Sequence, residues 1–296
     1  MILSNVLKEI KEIELLVNTN IGQYTTTKLQ CSGDLIIIKT INALLKVLEL
    51  LNKYNLSFHI IGMGSNQIIK TEKKIHLKLK FENFESILES EKQNYVLPSS
   101  LPLNLLTAHA MKFNLKGWDC FTGVPASLGG AVFMNAGTSL GEISKILDWV
   151  ELVDSNGNIR IFKVDSNSFS YRKNHFIQEN EIITTVCLKN IGHEENLKNK
   201  IREYLDFRKK TQPLSTQNCG CVFKNYSDEF KAGKCIDELG LKGYQLGNVR
   251  VSPVHGNFFE NMGNATPEEY LKLMKYVQDK LFEKYGILFE FEVKVY

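Results

Sequence analysis

Two glycine-bearing loops constrain this chain more than any other feature: "GMGSN" at 62–66 and "GVPASLGGAVFMNAG" at 123–137. Residues without a Cβ can turn successive N–H groups toward an anion and let the main chain lie close against a large polar ligand. A strand-like run, "FHII", leads into the first loop, so the loop stands where a strand ends and a ligand could dock. It lacks GxGxxG, GK[ST] and a helix start, and alone it reads equally as a tight turn. The second segment supplies Gly123, Gly129, Gly130, Asn135 and Gly137; its plainer reading is a packed corner between strands.

Strand and helix patterns alternate around both loops. Residues 35–38 read as a strand and lead through Thr40 into a helix with Leu44, Leu45, Leu48 and Leu51 on one stripe. Ile75, Leu77, Leu79 and Phe81 then alternate as a further strand. From Tyr95 the order is strand, helix over 103–113, and the second glycine segment. "SNGN" at 155–158 lies between two alternating runs and predicts a hairpin with a two-residue turn, both Asn156 and Gly157 tolerating positive φ. A strand over 182–188 closes this unit, and a helix over 197–207 opens another. The last helix is framed by Thr266, Pro267 and Glu269 at its start and by Gly286 at its stop. In the final "ILFEFEVKV", strand alternation puts Ile287, Phe289, Phe291, Val293 and Val295 on one face and Glu290, Glu292 and Lys294 on the other.

A chain of 296 residues has room for two or three packed units. With 43% hydrophobic and 23% charged residues it belongs to the ordinary globular class. A net charge of +3, with both signs spread along the chain, argues against nucleic acid as a partner; an anionic ligand would need local positive charge. The start, "MILSNVLKEIKEIELLV", carries Lys8, Glu9, Lys11, Glu12 and Glu14 among its apolar residues and reads as an amphipathic helix, not a signal peptide. Lysines break the most apolar run, "LIIIKTINALLKVLELL", below the roughly 20 residues of a membrane span. A cytoplasmic protein with no membrane partner is the expectation, and its six cysteines are expected as reduced thiols.

The stretch "NCGCVFKN" at 218–225 places two of those cysteines one residue apart. A zinc site asks for four ligands and finds no partner pair here, so no metal is expected. A disulfide across one residue strains the required dihedral. Buried packing is the reading for Cys219 and Cys187, because thiols without a disulfide are among the most buried groups. Cys221 stands apart because of the motif around it. Arg208, Lys209, Lys210 and Lys224 gather near it in sequence, where they could hold a diphosphate or simply solvate a helix end.

"GSN", "GVPxxxGGAxxxNAG", "SYR", "QPL", "GCVFKN", "KGYQLGNVRVSPVHGNF", "GNAT" and "FEFEVKV" follow one another across nearly the whole chain. In that order they resemble the UDP-N-acetylenolpyruvoylglucosamine reductases, the flavoenzymes that make UDP-N-acetylmuramate for peptidoglycan, and the short spacings are similar to the compact second type. The resemblance implies an α+β fold: an FAD-binding region of the vanillyl-alcohol-oxidase type in two subdomains (1–76 and 77–190), plus an α/β substrate-binding domain (196–296) whose last strand returns toward the flavin. It implies FAD as bound cofactor, NADPH as hydride donor, a UDP-sugar as substrate, and no obligate protein partner. Gly62, Gly64, Ser65 and Asn66 match the FAD diphosphate loop, and Gly123, Gly129, Gly130, Asn135 and Gly137 match the second FAD segment. Arg172 matches the catalytic arginine, with Tyr171 beside it; Asn225 matches a substrate-binding asparagine and Glu292 the catalytic glutamate. Cys221 stands where most members carry a proton-donating serine. Ala126 and Ser139 also depart from the glycine and tyrosine usual in the second FAD segment.

The implied chemistry suits these groups. Hydride delivered to an enolpyruvyl ether leaves negative charge that spreads into the carboxylate. A guanidinium at Arg172 would grip that carboxylate in two places as charge develops. A neutral Glu292 would donate to the same dianion, although a glutamate on a strand face is also a common solvated charge. A thiol, with a reference pKa of about 8.5, is a far stronger acid than a serine hydroxyl, so Cys221 would keep the proton-donor role, with activity falling as the thiol ionises. Another FAD-dependent oxidase or dehydrogenase on the same scaffold, and a non-catalytic FAD or nucleotide-sugar binder, are the rival readings.

Overall fold

The structure, a computed structural model, describes residues 7, 9–70, 75–82 and 84–296. Its regular elements begin with β1 (Ile13–Asn20), β2 (Ser32–Ile38), α1 (Ile41–Lys53), β3 (Phe58–Ile60), β4 (Gln67–Ile68), β5 (Ile75–Leu79), β6 (Asn94–Pro98), α2 (Leu103–Phe113) and α3 (Leu128–Phe133). Short pairs β7 (Gly137–Thr138) and β8 (Gly141–Glu142) precede β9 (Leu147–Val153), β10 (Ile159–Lys163), β11 (Phe169–Ser170), β12 (Lys173–Asn174) and β13 (Ile182–Lys189). The chain closes with α4 (Leu197–Thr211), α5 (Ala232–Glu238), β14 (Gln245–Leu246), β15 (Val249–Val251), β16 (Phe259–Asn261), α6 (Pro267–Tyr285) and β17 (Lys294–Val295).

Two compact units divide these elements: Met1–Val17, Leu35–Met63 and Lys74–Leu205 form one, and Asn18–Asp34, Gly64–Lys73 and Asp206–Tyr296 the other. The division follows hydrophobic cores, not linear order. Residues 18–34 and 64–73, read from sequence as part of a first subdomain, group with the C-terminal third, where Leu29 and Ile68 are buried in its core. Conversely, Leu197 and Ile201 in the first half of α4 are buried in the first unit.

Besides the short pairs β7-β8 and β11-β12, the first unit holds two four-stranded sheets. One has the order β1-β2-β5-β3, with β3 and β5 parallel. Thr40 caps α1 by accepting the Ala43 N–H at 3.2 Å, and the helix buries Ala43, Leu44, Val47, Leu48 and Leu51 against Ile36, Ile38 and Leu77 of that sheet. The other sheet has the order β10-β9-β13-β6 with every pair antiparallel. Trp118 fills the centre of its core, fully buried beside Tyr95 and Phe121, with its indole N–H donating to the Lys189 carbonyl at 3.1 Å. Trp118→Ala is expected to destabilise the protein by about 3–5 kcal/mol through the cavity and the lost indole bond, read as a lower urea midpoint.

Two local expectations are corrected in this unit. Residues 13–17 belong to β1, not to an N-terminal helix; residues 1–6 and 8 of that expected helix lie outside the described residues. The alternation of Ile13 with Leu15, both packed on the α1 core, outweighs the helical spacing. The "SNGN" hairpin forms, but only Gly157 has positive φ (83°). Asp154 lengthens the turn by accepting N–H groups from Asn156 at 2.8 Å and Asn158 at 2.9 Å, and the Asn158 amide heads the contacts that hold its carboxyl below the usual range.

The second unit packs α6 over the antiparallel sheet β14-β15-β16, with Phe223, Phe259, Tyr270, Leu273, Val277 and Phe289 in its core. The expected capping box is present between Thr266 and Glu269, and Gly286 ends the helix at φ 67°. The final run departs from a continuous strand. Only β17 joins a ladder, parallel to β4, while 290–292 lie against 222–224 through Lys224 N–H to Glu290 O (2.9 Å) and Glu292 N–H to Val222 O (2.8 Å). Burial still alternates, Phe289 and Val293 inside and Glu290 outside, because the bridges keep the chain extended.

Candidate active site

In the first unit β3 delivers Gly62 beside Ser127. A Cβ on Gly62 would lie 2.8 Å from the Ser127 Oγ, one on Gly130 3.3 Å from that atom, and one on Gly129 2.8 Å from the Ser99 Cβ. Gly137 is as tightly placed, 2.6 Å from the Glu142 Cγ and 2.7 Å from the Gly141 carbonyl. Gly123 takes φ 68° in an exposed turn. The glycines at 129 and 137 are therefore required by packing inside the protein, which is the corner reading. Gly62 and Gly130 flank one hydroxyl, at a spot where any side chain would fill the space between them.

Asn135 ties the second segment to Arg172. It is buried in left-handed backbone at φ 43°, and its amide N–H₂ donates to Glu142 Oε2 at 3.0 Å and to the Ser170 carbonyl at 3.2 Å. Among the described residues its own Oδ1, buried, has no hydrogen-bond partner. Such an orphan acceptor costs about 1–3 kcal/mol until a donor arrives, which fits a ligand that supplies one. Arg172 occupies the two-residue turn between β11 and β12, also left-handed at φ 56°, and donates to Gly137 O at 2.9 Å and Asn135 O at 3.5 Å. Its guanidinium carbon lies 5.2 Å from the ring centre of the exposed Tyr171. "SYR" and "NAG", far apart in sequence, thus meet at one place.

In the second unit the rest of "GMGSN" is laced to the C-terminal run. Gly64, at φ 64°, comes so close to Thr25 that a Cβ would stand 2.6 Å from the Thr25 Cα. Ser65 and Asn66 are half-buried, and the Asn66 amide donates to the Glu292 carbonyl at 3.1 Å while the Lys294 N–H returns to Asn66 O at 3.0 Å. The Glu292 N–H in turn donates to the Val222 carbonyl, so the main chain of Glu292 lies beside the residue that follows Cys221. Asn257, buried, fixes that segment by accepting the Phe223 N–H at 2.9 Å and donating to Phe223 O at 2.8 Å.

The two cysteines of "NCGCVFKN" have different surroundings. Cys219 is buried 3.1 Å from the Tyr270 hydroxyl, and burial pushes its thiol up to about 12. Cys187 is likewise buried, its thiol raised by burial. Both fit the packing reading. Cys221 is half-buried, and no disulfide involves any of the six. Asn225 is exposed and accepts the Ala232 N–H at 3.0 Å, closing the loop that starts α5. Among the described residues no group of three or more His, Cys, Asp or Glu is arranged to hold a metal.

Also in this unit is a groove of about 500 Å³, lined by Lys209, Lys210, Gln212, Ser215, Arg250 and Glu260 among others. Of the four basic residues noted in sequence, Lys209 and Lys210 line it. Arg208 is buried with its Nε on Gln212, and Lys224 pairs with Glu290 at 2.8 Å. Arg250, paired at 2.6 Å with the buried Glu260, escaped sequence reasoning although it lies inside the "KGYQLGNVRVSPVHGNF" motif.

Comparison with known proteins covers both halves. A family model described as an FAD binding domain matches residues 35–163, and one described as the UDP-N-acetylenolpyruvoylglucosamine reductase C-terminal domain matches 212–296. The UDP-N-acetylenolpyruvoylglucosamine reductase of Prochlorococcus marinus (strain NATL2A) is 34% identical over 289 residues, covering 96% of this chain and 99% of that protein. The chain belongs to the UDP-N-acetylenolpyruvoylglucosamine reductase family. The reductase of Halalkalibacterium halodurans is 30% identical over 98% of this chain and 96% of its own. The crystal structure of the Thermus caldophilus reductase superposes with a TM-score of 0.80 at 29% identity, covering 96% of this chain and 98% of that one. The expected α+β architecture, an FAD-binding region followed by the domain characteristic of these reductases, therefore holds. The FAD-binding match includes every glycine of both loops, and the C-terminal match includes Cys221, Asn225 and Glu292. Arg172 falls in neither.

Proposed function

We propose that this reductase converts the enolpyruvyl ether of UDP-N-acetylglucosamine enolpyruvate to UDP-N-acetylmuramate, a peptidoglycan precursor, with NADPH as reductant. The observation that carries this reading is the pairing of the 290–292 and 222–224 segments, which brings the Glu292 main chain against Val222, the neighbour of Cys221, in the domain matched to these reductases. Bound FAD would supply the two-electron chemistry, taking hydride from the nicotinamide and giving it to the substrate. The chain's part is to hold, orient and protonate. Gly62, Gly64, Ser65 and Asn66, with Gly123, Gly129, Gly130, Asn135 and Gly137, would hold the dinucleotide, Asn135 Oδ1 accepting from it. Arg172 would grip the substrate carboxylate, Glu292 would donate to the charge developing there, and Cys221 would give its thiol proton to the carbon next to the carboxylate. Tyr171 and Asn225 would contact the substrate. Lys209, Lys210 and Arg250 make their groove a suitable seat for its diphosphate. Such a scheme needs small molecules and no protein partner, and its nucleotide-linked substrate would place it in the cytoplasm; among the described residues no helix is long and apolar enough to cross a membrane.

Under anaerobic conditions NADPH should bleach the bound flavin, and UDP-N-acetylglucosamine enolpyruvate should restore its colour with formation of UDP-N-acetylmuramate. Restoration by oxygen but not by this substrate would assign the protein to a different flavin oxidase. No bleaching at all would make it a binder.

A further inference from the structure

Lys78 lies in β5, where the alternation of "IHLKL" would send it outward with the solvated residues. It turns instead to the first glycine loop. The half-buried ammonium donates to the Gly62 carbonyl, and among the described residues this carbonyl is its one polar partner. Burial lowers the pKa of the amine, the response of a cation held out of water. A carbonyl dipole answers only part of a buried positive charge; a buried ammonium calls for an anion. The same Gly62 has the Ser127 hydroxyl 2.8 Å from where its Cβ would be, so an amine and a hydroxyl both converge on one glycine. The anion expected at this loop, given the FAD-binding domain over 35–163, is the diphosphate bridge of the dinucleotide.

We infer that Lys78 supplies the positive charge that binds the FAD diphosphate at the Gly62 loop. This rests on the reading that the chain holds FAD, and the two can fail separately. The test is the affinity of deflavinated protein for FAD, followed by the change in flavin fluorescence on titration. Lys78→Gln keeps a donor for the Gly62 carbonyl and removes the charge. It is expected to weaken FAD about 10- to 100-fold, the range of a charge-assisted hydrogen bond, and to flatten the dependence of Kd on KCl concentration. Lys78→Arg should restore most of the affinity and the salt dependence. Riboflavin, which has no phosphate, should bind wild type and Lys78→Gln alike. If Lys78→Gln binds FAD as wild type does, with the same salt dependence, the inference is overturned. The same holds if Gln and Arg weaken FAD equally, or if Gln weakens riboflavin as much as FAD, since the lysine would then only hold the loop in shape. Thermal melts of the flavin-free variants separate a misfolded variant from a weak binder, and the Gln and Arg pair decides the matter if one larger change is not tolerated. A wild-type protein that takes up no FAD would refute the cofactor reading itself.

Discussion

Arg172→Ala is expected to slow reoxidation of the reduced flavin by substrate about 10²–10³-fold while the protein still holds FAD and is still reduced by NADPH at its normal rate. The size follows from removing a group aimed at charge that exists fully only in the transition state. The structure sharpens the experiment, because Arg172 sits at φ 56°, a conformation that costs a residue with a Cβ about 1 kcal/mol. Alanine inherits that strain and glycine does not. Arg172→Gly should therefore melt later than Arg172→Ala, by about 1 kcal/mol in a urea titration, yet reoxidise as slowly. Lysine should recover only a fraction of the rate, being a point charge without the planar fork. Rapid-mixing traces of the second half-reaction decide the issue; an Ala variant with wild-type reoxidation would remove Arg172 from the chemistry.

The second large effect is expected at Cys221. Alanine there should leave reduction by NADPH untouched and slow reoxidation by substrate about 10²–10⁴-fold, the range of a positioned proton donor. Serine should retain turnover and abolish inactivation by alkylating reagents. The other thiols make this test clean. Cys31 and Cys219 are buried, their thiols pushed up to about 11 and about 12 mainly by burial, and Cys120, Cys187 and Cys235 are buried and raised in the same way. Thiolates are the reactive form, so these should resist reagents that reach the half-buried Cys221. Peptide mass mapping after brief iodoacetamide treatment should find label at Cys221 with loss of activity. Label confined to other cysteines with the same loss, or an Ala variant with normal reoxidation, would discard the proton-donor role.

Much of the secondary structure was legible because short-range chemistry sets it. α2 has the limits read from sequence, and Thr266, Pro267, Glu269 and Gly286 act at the ends of α6 as their residue types require. Failures came where distant packing overrides local pattern. Residues 13–17 satisfy both a helical and an alternating pattern, and only the core beneath β1 chooses. The turn at 155–158 was misjudged because Asp154, one position earlier, captures two backbone N–H groups. A candidate site was legible where a motif names residues to propose, as at Cys221 and Glu292, and illegible where a residue gains meaning from its neighbour in space. Lys78 looks like an outward strand lysine until β3 and β5 pair in parallel and bring the end of β3 beside it. Glu142 looks like an ordinary hairpin carboxylate until Asn135 is seen to lean on it.

Asn257 holds the main chain of Phe223 from both sides, and the neighbouring bridges engage the peptide groups of Val222. Nothing in that mounting specifies which side chain precedes it. Over a lineage's history, one nucleotide change could exchange a hydroxyl for a sulfhydryl at such a post while these main-chain bonds stay as they are. A proton donor at Cys221, as proposed, would be a replaceable fitting on a fixed bracket, and selection for oxidant tolerance or for working pH could act on it.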